Sequence, residues 1–368
     1  MNVTLPMHLD DLDTPALAID LDLMEANIDL MIRRLRPQAV HVRPHLKTAK
    51  SPDVARVMRD AGAIGFCVAK LGEAEVMAAA GVDDLLITSE IVGAAKLGRL
   101  ATLHAAHPRV RVVVDSADGA RMLNGAVAGS ATPLELLINL DVGQGRCGVL
   151  PGTAALELAR SVARLPHVRL VGLQGYEGHL QQLTDRDELI RRVDEAMGML
   201  TMTADLLRRD GHTITTVTTG GTATCEYCAA YPGITEIQPG SFVFLDRSYR
   251  DRLAPESGYK NALTVLATVI SRPRAGRAVV DAGLKTLSND LGNAEPVGLP
   301  GVHYRPAGDE HGILEWDSAQ QSPLNLGDRV ALIPSHIDTT VNLHDTYYAH
   351  RSGLISAIWP IAARGKVQ

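Results

Sequence analysis

The chain has 368 residues, of which 46% are hydrophobic and 21% charged, a composition typical of soluble globular proteins. A net charge of −6 and only 4% aromatic residues provide neither the basic surface nor the stacking side chains that nucleic-acid binding needs. No stretch approaches the roughly 20 apolar residues of a membrane span, and the acidic N-terminus lacks a secretory signal. Four scattered cysteines predict no disulfide framework. We therefore expect a reduced, cytoplasmic protein that binds neither nucleic acid nor membrane.

Predicted strands and helices alternate through the first two thirds of the chain. Residues 15–22 (PALAIDLD) predict a strand, and Asp22 can cap a following helix whose apolar residues recur at helical spacing up to Leu35. Eight more strands are predicted at 39–46, 65–70, 84–90, 109–116, 135–142, 170–178, 214–221 and 236–246, with helical patterns such as 71–81 and 187–211 between most of them. Continuously apolar strands separated by helices indicate a parallel sheet covered on both faces.

Nine candidate strands are one more than an eight-stranded barrel needs, and an open doubly wound sheet is the alternative. In (β/α)8 barrels, phosphate often binds in the loops after strands 7 and 8. If counting starts at 39–46, strand 7 ends in TTGGT (218–222) and strand 8 contains PGS (239–241). Both are glycine-bearing turns that can offer backbone N–H groups to an anion. This count favours a barrel over roughly 39–247 and leaves the strand at 15–22 outside it.

The alternation of predicted strands and helices ends after about residue 250. Runs rich in β-formers, joined by Gly, Pro and Asp turns, predict a mostly antiparallel β domain, and we expect the strand at 15–22 to pair into it. The predicted fold class is therefore α/β, with a (β/α)8 TIM-type barrel within residues 14–247 followed by a β domain at 248–368.

The carboxyl ends of the predicted barrel strands, which form the active-site face of such barrels, carry a convergent set of polar residues. They include His45, Lys47, Lys70, Ser89, Glu90, Asp115, Asp141, Arg146, Tyr176, Glu177, His179 and Thr219 to Thr222. A lysine in such a ring, opposite turns that can bind phosphate, suggests a Schiff base with pyridoxal 5′-phosphate (PLP). By position alone Lys47 and Lys70 are both candidates, because they follow neighbouring strands.

Two other motifs carry less chemistry than their patterns suggest. GQGRCG (143–148) matches the dinucleotide fingerprint, but a helix does not start at once and no acidic residue follows near 20 positions on. Cys225 and Cys228 form a CxxC, but no second CxxC and no zinc-spaced histidine pair accompanies it. We interpret the first as a decoy and expect no metal or redox role for the second.

The order of the motifs resembles one enzyme family. RPHLK (43–47), DVGQGRCGV (141–149), GYEGH (175–179), TTGGT (218–222), QPGSFVFLD (238–246) and SHID (335–338) are similar to motifs of the alanine-racemase-like, fold-type III PLP enzymes. Within these, the chain resembles the D-threonine aldolase and D-serine dehydratase group over nearly its whole length. One departure is Ala49, where relatives are expected to carry histidine. The resemblance implies a (β/α)8 barrel, a following β domain and a homodimer.

The resemblance also implies roles for single residues. Lys47, rather than Lys70, would hold PLP as a Schiff base, and Arg146 would contact its ring oxygen or ring edge. Tyr176 would pack near the cofactor, and His179 would face the substrate. The phosphate would be cradled by Thr219, Gly220, Gly221, Thr222, Gly240 and Ser241.

A candidate metal site lies in PSHIDTTVNL (334–343). His336 and Asp338 are two residues apart, which would place them on one face of a strand, where an imidazole and a carboxylate can bind a divalent cation. In the family that the chain resembles, the corresponding pair is the metal site. There, H-x-C is typical of dehydratases and zinc, whereas H-x-D is typical of D-threonine aldolases and of Mn²⁺ or Mg²⁺.

The aspartate makes retro-aldol cleavage of D-3-hydroxy-amino acids, to glycine and an aldehyde, the expected reaction. The metal would bind the β-hydroxyl of the substrate, and either His179 or a metal-bound hydroxide would remove its proton. The alternative is a metal-dependent dehydratase acting on D-serine or D-3-hydroxyaspartate. Two less favoured interpretations are a non-catalytic PLP-binding regulatory protein and a barrel that binds sugar phosphates without PLP.

Overall fold

The computed structural model describes residues 5–368. The chain divides into a barrel unit of residues 31–47, 54–240 and 365–368, and a β unit of residues 5–30, 48–53 and 241–364. The predicted limits, 14–247 and 248–368, are continuous segments, whereas each unit gathers several segments of the chain. Within the described residues, no helix combines the length and the apolar character that crossing a membrane requires.

The N-terminal elements are β1 (Met7–His8), β2 (Ala16–Asp20) and α1 (Leu21–Leu35). Asp20, and not Asp22 as predicted, caps α1, because its Oδ1 accepts the N–H of Leu23 at 3.1 Å. The strand ends two residues earlier than predicted, so Asp22 lies inside the first turn of the helix. A two-residue error of this kind is expected where two aspartates lie near a strand end, since either can cap a helix.

Eight parallel strands form the sheet of the barrel unit, and each overlaps one of the eight segments predicted for it. They are β3 (His41–Val42), β4 (Phe66–Val68), β5 (Leu85–Ile87), β6 (Arg111–Val114), β7 (Leu134–Leu140), β8 (Val168–Gly175), β9 (Thr216–Thr219) and β10 (Glu236–Ile237). Their order is β3-β10-β9-β8-β7-β6-β5-β4, and a parallel bridge between His45 and Cys67 joins the two ends of that order. The sheet therefore closes, which confirms the predicted (β/α)8 barrel.

Helices follow the barrel strands as the sequence patterns predict. They are α2 (Pro52–Asp60), α3 (Leu71–Ala79), α4 (Ala94–Ala106), α5 (Ala117–Ala126), α6 (Thr153–Val162), α7 (Arg186–Arg209) and α8 (Cys225–Ala229). Cys67, Leu86, Val113 and Leu137, from four neighbouring strands, pack together without solvent exposure. Burial of such apolar side chains, at about 25 cal/mol per Å² removed from water, is the main force that holds the strands in place.

A buried ionic network crosses the amino-terminal ends of the strands. The Arg43 side chain is 1% exposed and donates from Nε and Nη2 to both carboxylate oxygens of Glu236, at 2.8 and 3.0 Å. Its Nη1 donates to Asp84 Oδ1 at 2.6 Å. Arg111, the first residue of β6, lies 3.4 Å from Asp84 and 3.2 Å from Glu135. The network lies opposite the face that carries active sites in such barrels, where residues serve stability.

The β unit continues with two short helices and most of its strands. These elements are α9 (Arg247–Arg250), β11 (Leu263–Arg274), β12 (Arg277–Val280), β13 (Glu295–Pro296), β14 (His303–Pro306), β15 (Gly312–Glu315), β16 (Arg329–Ile333), α10 (Ile337–Val341), β17 (Thr346–Arg351) and β18 (Leu354–Pro360). The sheet has ten strands, and all pairings are antiparallel except that of β2 with β17. β2 lies between β11 and β17, with Leu17 and Ile19 fully buried. The predicted, mostly antiparallel β domain is thus confirmed.

Candidate active site

Lys47 lies in the turn that follows β3, at the carboxyl end of the barrel strands, and is half-buried. Its backbone N–H donates to His45 Nδ1 at 3.2 Å. Since Nδ1 accepts, Nε2 of His45 carries the ring proton and donates to Thr88 Oγ1 at 3.0 Å. The Thr88 hydroxyl in turn donates to the backbone oxygen of Val68 at 3.2 Å. The turn that carries Lys47 is therefore tied to the ends of β4 and β5.

The rival lysine has a different environment. Lys70 is exposed and is the residue that precedes α3, where its backbone N–H donates to Glu73 Oε2 at 3.1 Å. An exposed ammonium at a helix start is fully hydrated, whereas a half-buried one loses part of its hydration. The surroundings of Lys47 are thus better suited to a reactive amine.

Arg146 and Tyr176 meet at the carboxyl ends of β7 and β8. The guanidinium carbon of Arg146 lies 5.9 Å from the centre of the Tyr176 ring, within the range of a cation–π contact. The loop of Arg146 is held by Asp141, whose Oδ1 accepts the N–H groups of Gly143 and Gly145 at 3.0 Å each. The Gly145 N–H, followed by others, keeps the pKa of Asp141 below its usual range. No helix begins directly after GQGRCG, since α6 starts at Thr153.

His179 follows β8 in a short 3-10 turn and is partly buried. Burial, and after it the charge of Arg192, lowers the pKa of His179 below that of an ordinary histidine. Its Nδ1 is buried and has no hydrogen-bond partner in the described structure. A neutral imidazole with an unengaged nitrogen can accept a proton, which is what a general base must do.

The predicted phosphate turn is bound from within by Glu177, whose side chain is fully buried. Thr219 Oγ1 donates to Glu177 Oε2 at 2.7 Å, and the N–H groups of Gly220 and Gly221 donate to its two oxygens at 3.2 Å each. Thr224 Oγ1 donates to Oε1 at 2.5 Å. Three of the residues predicted to cradle a phosphate therefore already donate to a carboxylate of the protein itself.

The second glycine turn follows β10. Gly240 is the last residue of its segment in the barrel unit, and the backbone oxygen of the preceding Pro239 accepts the N–H of His45 at 3.0 Å. Ser241 begins the segment that belongs to the β unit, is buried, and starts a 3-10 turn. The two predicted phosphate contacts of this turn are thus neighbours in the chain that belong to different units.

His336 and Asp338, the predicted metal pair, lie in the β unit. They are not on one face of a strand, as the sequence suggested, because β16 ends at Ile333 and a short helix follows. His336 is the extended residue before α10, and Asp338 lies in its first turn. Among residues 5–368, no three His, Cys, Asp or Glu side chains come together in a way that could hold a metal ion. A cation bound by this pair would therefore complete its shell with water or substrate.

Two further carboxylates contact this segment, Asp290 at His336 and Asp246 at the N–H of Ile337. Asp290 Oδ2 lies 2.7 Å from His336 Nδ1, while its Oδ1 accepts the hydroxyls of Ser288 at 2.6 Å and Thr339 at 3.0 Å. Asp246 is buried, which raises its pKa to about 6, although it accepts the N–H groups of Tyr249 and Ile337. An imidazole whose Nδ1 contacts a carboxylate presents Nε2 as its second nitrogen, as in many metal-binding histidines.

The two cysteines of the CxxC are buried in α8 and carry free thiols. Burial raises the pKa of Cys225 to about 12 and that of Cys228 well above its usual value. Thiols of such high pKa form little thiolate at neutral pH, and the thiolate is the form that reacts.

The sequence places Glu177 in the polar set at the strand ends without indicating its role, and it gives no sign of Gln181, Thr224 or, in the β unit, Asp290. Glu177 stands inside GYEGH, so the signal was an acidic residue between two residues that were selected. Asp290 is 46 positions from the histidine that it contacts, and no pattern in the sequence connects them.

Comparison with known proteins agrees with this geometry. The family model for the alanine racemase N-terminal domain matches residues 19–248, and that for a putative serine dehydratase domain matches residues 262–350. The chain is 38% identical to a D-threonine aldolase of Arthrobacter sp., over 96% of this chain and 93% of that protein. It is 34% identical to a 3-hydroxy-D-aspartate aldolase of Paracoccus denitrificans, over 98% and 94% respectively. The crystal structure of D-threonine aldolase from Filomicrobium marinum superposes with a TM-score of 0.95 at 38% identity, over 100% of both chains.

The fold and the site define the class of protein. It is a (β/α)8 barrel that carries a half-buried lysine after its first strand and is followed in the chain by an antiparallel β domain. The chain belongs to the alanine-racemase-like family, since that family model matches more than half of it. The two relatives described above are named aldolases, which are lyases, and the chain is accordingly an enzyme of the lyase class.

Proposed function

We propose that the chain cleaves D-3-hydroxy-amino acids, D-threonine among them, to glycine and an aldehyde, with PLP and a divalent metal as cofactors. The observation that carries this proposal is Lys47, half-buried after the first barrel strand in a turn fixed by His45. Similarity to two named aldolases over nearly the whole chain supports the choice of reaction. The resemblance to the fold-type III PLP enzymes implies a homodimer, which sedimentation velocity would test.

The residues proposed for the cofactor fit PLP. Lys47 would hold its aldehyde carbon, while Arg146, stacked near Tyr176, would meet its ring. The turn at 219–222 is built for glycine, since Gly220 has a φ of +86° and a Cβ on Gly221 would lie 2.5 Å from Gln181. Thr222, Gly240 and Ser241 complete the proposed phosphate contacts. When bound, PLP supplies a conjugated ring system that takes up the electron pair released as Cα–Cβ breaks.

His336 and Asp338 fit a metal of borderline or hard character. Nδ1 of His336 meets Asp290, so Nε2 and the Asp338 carboxylate are the two donors that we assign to the cation. A bound divalent ion lowers the pKa of a coordinated hydroxyl group. Mn²⁺ or Mg²⁺ held by these two residues would leave further positions for water and for the substrate hydroxyl.

His179 is the base that we propose for the proton of the substrate hydroxyl. Burial and Arg192 keep its imidazole neutral at lower pH than usual, and Nδ1 is available as an acceptor. Transfer of the hydroxyl proton to His179 turns the C–O bond into a carbonyl as Cα–Cβ breaks, and the aldehyde leaves. A proton returned to Cα then completes glycine, so the atoms of the substrate balance.

The test is product identity from D-threonine, with Mn²⁺ added and in a parallel sample treated with EDTA. We expect acetaldehyde and glycine in the first sample and their loss in the second, with L-threonine as the control for D-selectivity. 2-Oxobutanoate and ammonia would instead identify a dehydratase, and full activity in EDTA would refute the role of the metal.

The second candidate function is a metal-dependent D-serine or D-3-hydroxyaspartate dehydratase. It is favoured by the match of residues 262–350 to the putative serine dehydratase domain. The aspartate at position 338 weighs against it, because the dehydratases that the chain resembles carry cysteine there. D-Serine offered under the same conditions separates the two, since only a dehydratase forms pyruvate from it.

A further inference from the structure

The carboxylate of Glu177 stands at the centre of the phosphate turn and has no contact with solvent. Four of its donors come from the segment 219–224, as described above, and a fifth is Nε2 of Gln181, at 3.2 Å. All five are neutral hydroxyl, amide or backbone groups. Hydrogen bonds to a charged acceptor are stronger than those to a neutral one, so together they offset the cost of burying this carboxylate.

Gln181 closes the same cluster from the side of the turn after β8. Its Nε2 also donates to Thr224 Oγ1 at 2.8 Å, and its Oε1 accepts the N–H of Ala223 at 3.1 Å. A Cβ on Gly221 would meet this side chain at 2.5 Å. The segment 219–224 is therefore held along its length by two side chains that lie four residues apart, Glu177 and Gln181.

These contacts restrict the backbone of a segment whose glycines allow many conformations. It contains two consecutive glycines, which adopt many backbone conformations, and Gly220 takes a φ of +86°. An anion-binding turn works only when its donors are fixed in advance, because ordering them at the moment of binding lowers affinity.

We propose that Glu177 is a positioning residue of the cofactor-phosphate turn, which it holds from the interior in the conformation that binds phosphate. This rests on the proposed function, in which the turn at 219–222 lies against the phosphate of PLP. Thr219, Gly220 and Gly221 then contribute the shape of the turn, because their donors are directed to Glu177.

Because the turn held by Glu177 acts only on the phosphate of the cofactor, the test compares PLP with pyridoxal, which lacks the phosphate. The dissociation constants of both are measured by equilibrium dialysis against cofactor-depleted protein. Glu177→Gln replaces one carboxylate oxygen by an NH₂ group that opposes the donor of Gly220. We expect the preference for PLP over pyridoxal to fall by about tenfold or more, with pyridoxal affinity changed by less than about threefold.

Glu226→Gln is the matched control, because it removes an exposed carboxylate of α8 that pairs with Arg34 at 2.7 Å. It should leave both constants unchanged. If Glu177→Gln fails to fold, Thr224→Val removes a single donor to the carboxylate, and Thr224→Ser restores the hydroxyl and should restore the preference.

The outcomes are distinct. If Glu177 served general stability alone, its replacement would weaken the binding of PLP and of pyridoxal equally. An unchanged preference for PLP in folded Glu177→Gln and Thr224→Val would overturn the inference while leaving the proposed function intact. A wild-type protein that binds PLP and pyridoxal equally would overturn the phosphate turn itself, and the inference with it.

Discussion

Removal of Arg43 should destabilise the barrel unit by about 3 kcal/mol. Its side chain is 1% exposed, and it holds Glu236 and Asp84, whose side chains are 7% and 20% exposed. Burial opposes the charge on Arg43, yet its pKa is raised, because the hydrogen bond and charge of Glu236 outweigh burial. Truncating one partner of a buried ion pair costs about 3–5 kcal/mol, since the other charge is left without compensation. Arg111, 3.9 Å from Glu236, offsets part of this loss and places the value at the low end.

The perturbation is Arg43→Met, which keeps the length of the side chain and removes its charge. Far-UV circular dichroism during urea denaturation follows the barrel unit, which contains most of the helices, while fluorescence follows Trp316 and Trp359 in the β unit. Two probes are needed because a chain with two units need not unfold in a single step. The dichroism transition should move to lower urea.

The double variant Arg43→Met with Glu236→Leu is the decisive control. Replacing a buried ion pair by apolar side chains is often neutral, so the double variant should recover most of the lost stability. A single variant that loses less than about 1 kcal/mol, or a double variant no more stable than the single one, would refute the claim that an uncompensated charge causes the loss.

Three further predictions concern the site. Borohydride reduction of the PLP-loaded protein should attach the cofactor covalently to Lys47, as the mass of the labelled peptide would show. Lys47→Ala should abolish the label and lower the activity by at least about a hundredfold. Arg192→Gln should raise the pKa of His179, because Arg192 lowers it, so the acid limb of the pH–rate profile should move to higher pH. Asp290→Asn should weaken Mn²⁺ binding, measured calorimetrically, by about 10–100-fold through loss of its contact with the metal-site histidine.

Each of these has a matched control. Lys70→Ala should keep the label, and a label that persists in Lys47→Ala would make Lys70 the reactive residue. Arg191→Gln removes an exposed arginine of α7 that pairs with Glu188 and Glu195, and it should leave the profile in place. Asp309→Asn removes an exposed carboxylate of the β unit, 3.7 Å from Lys285, and Mn²⁺ affinity equal to that of Asp290→Asn would refute a specific role.

The barrel was predictable from sequence because its signal is local. A fully buried parallel strand must be apolar along its length, and β5 (Leu85–Ile87) and β6 (Arg111–Val114) stand out for that reason. The segment after His336 shows the opposite case. Ile337 to Val341 is rich in β-branched residues and was interpreted as a strand, yet it forms the short helix α10. Its N-terminal contact with buried Asp246, through the N–H of Ile337, comes from 91 positions away and overrides local preference.

The residues of the candidate site also divide into those that a local sequence pattern predicts and those that depend on distant parts of the chain. Lys47, Tyr176 and His179 could be selected because each follows a recognisable strand. Glu177 belongs to the same predicted polar set, but its role could not be predicted, since a lone glutamate in a turn is usually exposed. Only the three-dimensional path of segment 219–224 shows why this one is buried.

The seam of the barrel, where β3 pairs with β10, has a consequence for when the enzyme can bind its cofactor. β3 pairs with β10, which follows it by more than 190 residues, and the two sides are also tied by Arg43 and Glu236, 193 positions apart. The turn of Lys47 rests on this seam through the N–H of His45, which donates to the backbone oxygen of Pro239. A nascent chain that ends before β10 thus lacks the support of its lysine turn. The cofactor should therefore attach only after β10 has closed the barrel. Truncated or stalled chains that end before β10 should not take up the cofactor and should remain colourless.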